Sequence, residues 1–395
     1  MQLLSLLALL PAALAKPLNV RATACNNSPD LCDKSYGDIT HLGAHDSPFV
    51  SSSASSLSLA TNQYYDTPTQ LSAGVRLVSA QVHKSNSQWR LCHSDCNLQD
   101  AGLLSDWLGN IKTWLDENEN EVVTILLVNS DNAGASDLNT EFKAANITDY
   151  AYEPKSLTSA PTSWPTLQEM IDDGKRLVVF VPSLTTSPSY PYLMNEWDFV
   201  WENNYDVRSP SNFSCDANRP STDTSTLASS NKLPLMNHFL YSTDLSEIGI
   251  EYPNSSYVAT TNAASGGTGN LRCKKQWNKA PTFILVDFFN RGPAIDTVDS
   301  LNGVTNPVGR TSVSTTADAS SGGSTVNNVF KGLVQLAASA KAGSSPSMGN
   351  WVWVGGDWGS ILVEVFHLVK MMLSSSILFP SFIRHTFSHL PFMIR

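Results

Sequence analysis

Two histidines in this sequence stand where acid–base chemistry is possible. His45 follows a predicted strand in the run 43–47 (Gly-Ala-His-Asp-Ser), and His93 follows the next apolar segment in the run 91–96 (Leu-Cys-His-Ser-Asp-Cys). An imidazole has an unperturbed pKa of about 6.5, so a neutral ring accepts a proton while a second, protonated ring donates one. Such a pair suits phosphodiester cleavage, in which an attacking hydroxyl loses a proton and a leaving alkoxide gains one. The alternative is that both are structural loop residues.

The elements that must position these side chains alternate along the chain. Apolar runs predict strands over 38–44, 74–82, 122–128, 176–181, 199–201, 235–241 and 282–288. Helical spacing of apolar residues predicts helices over 104–115, 166–173 and 329–341. Strands that alternate with helices favour a parallel sheet with crossover helices, and this many strands favour a closed α/β barrel. In such a barrel the chemistry lies at the C-terminal ends of the strands, which is where both histidines fall.

The composition excludes several classes of protein. The chain has 395 residues, of which 42% are hydrophobic and only 15% are charged, unlike a disordered acidic tail. Its 35 acidic residues outnumber its 25 basic ones, and the net charge of -10 argues against nucleic acid as a partner. No interior run is apolar for about 20 residues, which excludes a multi-span membrane protein. The negative charge would repel anionic bilayers, so peripheral membrane contact would have to use aromatic side chains or the C-terminal tail.

The N-terminus indicates secretion. Residues 1–15 (MQLLSLLALLPAALA) combine an apolar run with a small-residue exit, the pattern of a signal peptide that is cut before Lys16. Four Asn-x-Ser/Thr triplets, which mark glycosylation sites on surface loops of secreted proteins, begin at Asn26, Asn146, Asn212 and Asn254. We therefore expect a secreted, extracellular glycoprotein.

The six cysteines support the same location. They fall into two local pairs with two cysteines left over, which predicts the disulfides Cys25–Cys32, Cys92–Cys96 and Cys215–Cys273. An oxidising compartment lets such bonds form and persist. The short Cys92–Cys96 spacing would also fit half of a zinc site, although the other local pair is a poor second half.

The rest of the chain divides by composition. We predict the catalytic domain over 16–308 and a flexible Ser/Thr/Gly-rich segment over 309–328. A helix and a strand over 329–360 would complete the barrel or pack on it. Residues 361–395 are largely apolar but hold ionisable groups and end in a charged residue, which neither a spanning helix nor a lipid-anchor signal favours. An imperfect surface anchor, an interfacial helix and a gene-model error remain open for this tail.

The motifs around the two histidines resemble a known family. The runs 41–47 (His-Leu-Gly-Ala-His-Asp-Ser), 74–77 (Gly-Val-Arg-Leu) and 91–93 (Leu-Cys-His) are similar to the catalytic X-type region of phosphatidylinositol-specific phospholipase C. The similarity is greatest to the secreted fungal PLC-like phosphodiesterases and runs from Cys25 to about Gly292. It implies an α/β fold with a distorted TIM-type (β/α) barrel as a single catalytic domain.

The resemblance also implies roles for individual residues. His45 would be the general base that activates an inositol hydroxyl, and His93 the general acid toward the diacylglycerol oxygen. The first product would be a cyclic phosphodiester, which water opens with the roles reversed. Asp46 resembles the acidic neighbour that orients a histidine, and Asp287 resembles the late-strand aspartate that supports the first one. An aspartate that holds an imidazole in one tautomer has a clear physical function.

The chain departs from the family where charge is needed. The bacterial enzymes carry a phosphate-neutralising arginine on the second strand and the calcium-dependent enzymes carry acidic metal ligands there, whereas this chain has Ser79 and Gln81. The third strand offers Asn129 in place of a glutamate. A hard cation prefers several anionic oxygens, so no metal or other cofactor is expected, with Ca²⁺ or Mg²⁺ as the alternative. Arg76 is a candidate source of the missing charge.

We therefore predict a phosphoric diester hydrolase whose substrate is a phospholipid or an inositol phosphodiester. The candidate substrate-binding residues are Gln81, Asn129, Arg76 and Glu202, the last because neighbouring Trp and Tyr rings suit a sugar. The lost charges leave a second hypothesis open, a weakened barrel that binds inositol or glycan head groups without turnover. A structural cell-wall or surface protein is a third.

Overall fold

The computed structural model describes residues 23–50, 61–97, 99–242, 252–263 and 271–315. They belong to a compact unit that runs to Val334. The predicted signal peptide, most of the segment 309–328, the helix and strand of 329–360 and the tail 361–395 lie outside the described residues, and those predictions remain untested.

The described residues form one sheet of eleven strands, most of them parallel. The strands are β1 (His41–Ala44), β2 (Leu77–Ser85), β3 (Gln88–Cys92), β4 (Asp100–Leu103), β5 (Val123–Asn129), β6 (Leu177–Val181), β7 (Leu193–Asn195), β8 (Val200–Asn203), β9 (Ala217–Arg219), β10 (Leu233–Asn237) and β11 (Phe283–Val286). Their order is β7-β6-β5-β2-β1-β11-β10-β8-β9, and β3 and β4 extend from β2. Every neighbouring pair from β7 round to β8 is parallel, whereas β3, β4 and β9 add antiparallel pairs at the side.

The connections explain why this sheet curls into a distorted TIM-type barrel. Helices lie between many of the strands, namely α1 (Thr67–Ala73), α2 (Leu104–Glu117), α3 (Ala135–Ala144), α4 (Leu167–Asp172), α5 (Glu196–Phe199), α6 (Thr224–Ala228), α7 (Val258–Thr261), α8 (Leu271–Trp277) and α9 (Ala294–Asn302). The strands β7 and β8 lie at opposite ends of the parallel array but are joined by the four residues of α5 alone. So short a link brings the two ends together, which confirms the predicted fold class.

Alternating side chains along the strands fill two apolar layers. In β5, Leu126 points to the barrel interior with Phe180 and Phe283, whereas Ile125 and Leu127 pack with the outer helices. Both layers are buried, so the strand is apolar almost throughout, as parallel strands covered on both faces are. The tryptophans of α2 belong to the outer layer, as the spacing of this helix predicts.

The three predicted disulfides are present, and no cysteine of the chain is free. Cys92 and Cys96 therefore close a small loop rather than half of a zinc site. One predicted glycosylation position is contradicted: Asn26 is 5% exposed and its Oδ1 accepts the backbone N–H of Val122, so its side chain is used inside the fold. Asn146 and Asn212 are exposed.

Among the helices that the structure describes, none combines the length and apolar character that crossing a membrane requires.

Candidate active site

The strand register brings His45 and Asp287 together. Ala44 of β1 pairs with Val286 of β11, so the next residue of each strand emerges at the same level of the barrel mouth. The His45 backbone N–H donates to the Val286 carbonyl at 2.8 Å, which extends this pairing by one residue. The His45 Nδ1 lies 2.9 Å from Asp287 Oδ1, so the N–H on Nδ1 donates to the carboxylate and Nε2 is left for chemistry.

A tight turn places Asp46 between the two strands β1 and β2. Asp46 has a left-handed backbone with φ of 48°, and its N–H donates to the Ser79 Oγ at 2.9 Å. Its carboxylate Oδ2 accepts a hydrogen bond from Gln81 Nε2 at 2.6 Å. The two β2 positions that lack the charges of the resembled enzymes therefore serve here to hold Asp46.

His93 reaches the site by a route that the sequence did not reveal. The sequence predicted it at the end of a barrel strand, but β3 is antiparallel to β2 and folds back toward the mouth. The turn at Asn86 and Ser87, both with positive φ, is of the kind that closes two-residue hairpins. Because Leu91 pairs with Val82, this register brings Cys92 beside Gln81 and His93 one residue further, and the Gln81 Oε1 accepts the Ser94 N–H at 2.9 Å.

The two imidazoles converge on one carboxylate oxygen. His45 Nε2 lies 3.7 Å and His93 Nε2 lies 3.6 Å from Asp46 Oδ2. Phe239 stacks on the His45 ring with a centroid distance of 3.7 Å, and Phe49 packs edge-on against His93 at 5.2 Å. The side chains of His45 and His93 are only 11% and 5% exposed, so both rings are nearly buried at this end of the barrel.

The pKa values of the two rings shift in opposite directions. Burial alone lowers the pKa of His45, but the charges of Asp46 and Asp287, with a further contribution from Glu202, outweigh it and raise the pKa above its usual value. Burial lowers the pKa of His93, and the charge of Asp46 offsets this only in part. His45 is thus the more basic of the two rings, so a single proton would reside on it rather than on His93.

One further residue of the site was missed at the sequence level. Asn62 is fully buried, its Nδ2 donates to Asp287 Oδ1 at 2.9 Å, and the same nitrogen lies 3.2 Å from His45 Nδ1. The neighbouring Gln63 donates to the backbone carbonyl of His45 at 2.8 Å. Neither residue belongs to a strand or to a recognisable motif, so only the folded chain reveals them.

Glu202 lies at the same end of the barrel within a polar cluster. Its Oε2 accepts hydrogen bonds from Arg219 Nε at 3.0 Å and from Asn237 Nδ2 at 3.0 Å. The Arg219 side chain is 38% exposed and lies over the rings of Trp197 and Tyr205. Behind it, burial and the charge of Glu202 raise the pKa of Glu196 well above its usual value. The cluster presents one exposed guanidinium between two aromatic rings.

The prediction that Arg76 contacts substrate needs correction. Arg76 precedes β2, so it lies at the opposite end of the strand from Gln81. It is buried, and its guanidinium donates to Glu121 Oε2 at 2.9 Å and to the backbone carbonyls of Leu71 and Val75. These bonds and the burial leave Arg76 as a structural cation beneath the barrel.

The Glu121→Ala variant is expected to lose about 3 kcal/mol of the free energy of unfolding, because a buried ion pair that loses one partner leaves an uncompensated charge. Urea unfolding followed by circular dichroism measures this loss. The matched control is Asp100→Ala, which breaks the more exposed pair with Arg90 and should cost no more than about 1 kcal/mol. Equal losses in the two variants would show that Arg76 does not need its partner.

Asn129 also departs from its predicted role. Its Nδ2 donates to the Ala133 carbonyl at 2.9 Å and its Oδ1 accepts the Ala133 N–H at 2.7 Å. Both ends of the amide close the loop after β5, so the prediction of a substrate contact by Asn129 is corrected to a structural one. Gln81 and Glu202, in contrast, lie where the histidines do.

No cluster of three or more His, Cys, Asp or Glu side chains in the described ranges is arranged to hold a metal ion. The chemistry that the arrangement does supply is proton transfer. Two imidazoles whose pKa values shift in opposite directions both approach Asp46 Oδ2, and Asp287 also holds His45.

Comparisons with known proteins identify the family that this chain is similar to. The family model described as PI-PLC X matches residues 31–302. An "Uncharacterized secreted protein" of Arthroderma benhamiae is 35% identical over 302 residues, which are 73% of this chain and 66% of that protein, just under two thirds of its length. A "PI-PLC X domain-containing protein 1" of the same organism is 34% identical, over 71% of this chain and 90% of that protein.

Solved structures of bacterial enzymes are also similar. The phosphatidylinositol-specific phospholipase C of Listeria monocytogenes has a TM-score of 0.45 and 16% identity, over 72% of this chain and 99% of that one. A mutant of the Staphylococcus aureus enzyme has the same TM-score and 14% identity, over 68% of this chain and 94% of that one.

Proposed function

This chain belongs to the PI-PLC X family, and on that premise we propose that it is a secreted phosphoric diester hydrolase that cleaves a lipid or inositol phosphodiester by two-histidine acid–base catalysis. The observation that carries the proposal is the convergence of His45 and His93 on Asp46 Oδ2. A phosphodiester that entered this pocket would lie between two proton-transfer groups.

The first step of the proposed reaction is an intramolecular attack. His45 Nε2 takes the proton of a head-group hydroxyl, whose oxygen attacks phosphorus. The bond from phosphorus to the alcohol of the lipid breaks, and His93 gives its proton to that oxygen. The products are an alcohol and a cyclic phosphodiester, and each histidine has changed its protonation state once.

The protonation states of the free protein fit the second step directly. After the first step His45 is protonated and His93 is neutral, which is the state that the local charges favour. A neutral His93 is then ready to take a proton from water, and His45 to protonate the opening ring. For the first step, the negative charge of a bound phosphodiester raises the pKa of His93, whose Nε2 makes no hydrogen bond in the free protein.

We assign the head group to the side of the pocket that Glu202 and Arg219 form. Arginine next to aromatic rings recognises hydroxyl-rich or anionic groups well, because it offers several donors in one plane. The Glu202 carboxylate is close enough to raise the pKa of His45, which supports a single continuous site. Gln81 would act indirectly, by holding Asp46 and the loop of His93.

The proposal is tested with a chromogenic inositol phosphodiester and with phosphatidylinositol vesicles. We expect turnover of at least one of them, a transient cyclic phosphodiester in ³¹P NMR spectra, and competition by free inositol. Unchanged rates in EDTA would support the metal-independent form of the proposal, and restoration by Ca²⁺ or Mg²⁺ would correct it. Absence of any product after long incubation would contradict the enzymatic proposal.

One observation favours a second candidate, a barrel that binds head groups without turnover. Arg76 is held by Glu121, and Arg219 is held by Glu202, so neither contacts the histidine pair. Stabilisation of developing phosphate charge is usually a large contribution to catalysis. Calorimetric binding of inositol phosphate, together with no product from any phosphodiester, would favour this candidate.

We also propose that the chain acts outside the cell and meets its substrate by peripheral membrane contact. The residues 1–15, the three disulfides and the secreted relative support the extracellular location. Anchoring at the cell surface would depend on the tail 361–395. Detection of the protein in culture medium, against a variant that lacks residues 1–15, tests the location.

The Asp46→Asn variant is expected to have its pH optimum of kcat/KM shifted toward acid by about one pH unit. The charge of Asp46 raises the pKa of both histidines, so its removal lowers both values and moves both limbs of the profile downward. Asp95→Asn, an exposed position in the disulfide loop that carries His93, is the control and should leave the profile in place. An unchanged or alkaline-shifted optimum in Asp46→Asn would contradict the proposed coupling.

A further inference from the structure

Asn62 occupies the centre of the contact between His45 and Asp287. The segment 61–63 crosses the mouth of the barrel beside the ends of β1 and β11, and Asn62 and Gln63 are both fully buried. The Asn62 Nδ2 is 2.9 Å from Asp287 Oδ1 and 3.2 Å from His45 Nδ1. The three polar atoms therefore form one triangle.

The chemistry of the triangle fixes the orientation of the amide. Asp287 Oδ1 is an acceptor, so the atom of Asn62 that faces it must be the NH₂ group rather than the carbonyl oxygen. The His45 Nδ1–H donates to the same Oδ1. The Asn62 Nδ2 and the His45 Nδ1 therefore lie close together because both donate to one acceptor. Asn62 and His45 thereby donate to the same oxygen of the Asp287 carboxylate.

The backbone holds Asn62 independently of its side chain. Its N–H donates to the Phe49 carbonyl at 3.0 Å, and its carbonyl accepts the Phe288 N–H at 2.8 Å. Gln63 adds hydrogen bonds to the carbonyls of His45 and Val286 at 2.8 and 3.1 Å. A substitution at Asn62 therefore changes the amide while the segment keeps its anchors.

We propose that Asn62 is a positioning residue that acts through Asp287 to hold His45 with its proton on Nδ1 and its Nε2 toward the pocket. The inference rests on the proposed function of His45. By donating to Asp287 Oδ1, Asn62 also shares the negative charge of the carboxylate, so it limits how strongly Asp287 holds the protonated form of His45. Asn62 thus makes His45, the proposed general base, less basic than it would be without this donor.

The charged and titratable groups that act on His45 come from several elements. They are Asp46 beside it, Asp287 after β11, Glu202 on β8 and His93 after β3. Only Asp287 also contacts Asn62. A change at Asn62 should therefore reach His45 through Asp287 and leave the link between Asp46 and His93 intact.

The test is an NMR titration of His45 in the whole protein, with Asn62→Asp and Asn62→Leu as variants. Asn62→Asp adds a negative charge next to His45 and is expected to raise its pKa by about one unit. Asn62→Leu removes the donor from Asp287 and should raise the pKa in the same direction by a smaller amount. In both, the acid limb of kcat/KM is expected to move to higher pH, and the rate on the plateau is expected to fall because His45 is less firmly positioned.

Asn139→Leu is the matched control, because Asn139 is also buried but bonds Tyr192 on the outer side of the barrel. It should lower the melting temperature without moving the His45 pKa. A His45 pKa that is the same in wild type and in both Asn62 variants would overturn the proposal. The titration needs no turnover, so an inactive wild type would contradict the proposed function while this inference is still decided.

Discussion

Alanine in place of His45 or His93 is expected to lower kcat for an inositol phosphodiester by about 10³-fold, within the range that general acid–base groups contribute. Without His45 no group receives the proton of the attacking hydroxyl, and without His93 the leaving alkoxide departs unprotonated. The head group is assigned to Glu202 and Arg219, which neither variant changes, so each variant should still bind substrate. The loss should therefore fall mainly on kcat rather than on KM.

The roles of the two histidines separate when the leaving group changes. A substrate with an acidic leaving group, such as a nitrophenol, needs no protonation, so it should recover much of the activity of His93→Ala but none of that of His45→Ala. His83→Ala is the control: His83 lies on β2, its Nδ1 is 3.3 Å from Asp131, and it should keep wild-type activity. Equal activity of wild type, His45→Ala and His93→Ala would end the catalytic proposal.

The Asp287→Asn variant is expected to lose roughly 10³-fold in kcat, because the amide no longer demands a proton on His45 Nδ1. The new amide can place its NH₂ opposite Nδ1 when the Asn62 amide turns so that its oxygen accepts from it. The ring then turns its lone pair to the amide and presents Nε2–H to the pocket, where a base is required. The loss of the negative charge also lowers the pKa of His45. The variant is thus nearly isosteric but places the imidazole in the wrong tautomer.

Steady-state kinetics and the ¹⁵N chemical shifts of the His45 ring measure the two consequences of Asp287→Asn. The shifts should show a hydrogen on Nε2 instead of Nδ1 at high pH. The comparison variant is Asp299→Asn, which breaks a partly buried bond to Arg310 outside the site and should leave kcat unchanged. Wild-type kcat in Asp287→Asn would show that Asp287 only caps a strand.

The sequence predicted the positions of the candidate residues that lie at the ends of strands. His45 follows an apolar run directly, so the rule that barrels carry chemistry at the C-terminal ends of strands located it, and the family resemblance located Asp287 at the end of its strand. The alternation of strands and helices predicted the barrel, and the spacing of apolar residues predicted the buried face of α2. These properties depend on local patterns, which a single sequence displays.

The contacts that required distant residues were not predictable. The antiparallel hairpin that returns His93 to the mouth depends on left-handed conformations at Asn86 and Ser87, which the apolar pattern does not show. Arg76 looked like a free cation because its partner Glu121 is 45 residues away. Asn62 lies in a polar stretch without any periodicity, and only its contact with Asp287 in the folded chain indicates a function.

The hairpin of β2 and β3 has a consequence for how the protein would lose activity on heating. His45 follows β1 in the middle of the parallel strands, whereas His93 follows β3 at the side of the sheet, and the Cys92–Cys96 disulfide cross-links only the loop that carries it. Peripheral hairpins open at lower free-energy cost than the strands of a core. Thermal inactivation would then begin with a reversible separation of His93 from His45, at temperatures where the parallel strands are still folded.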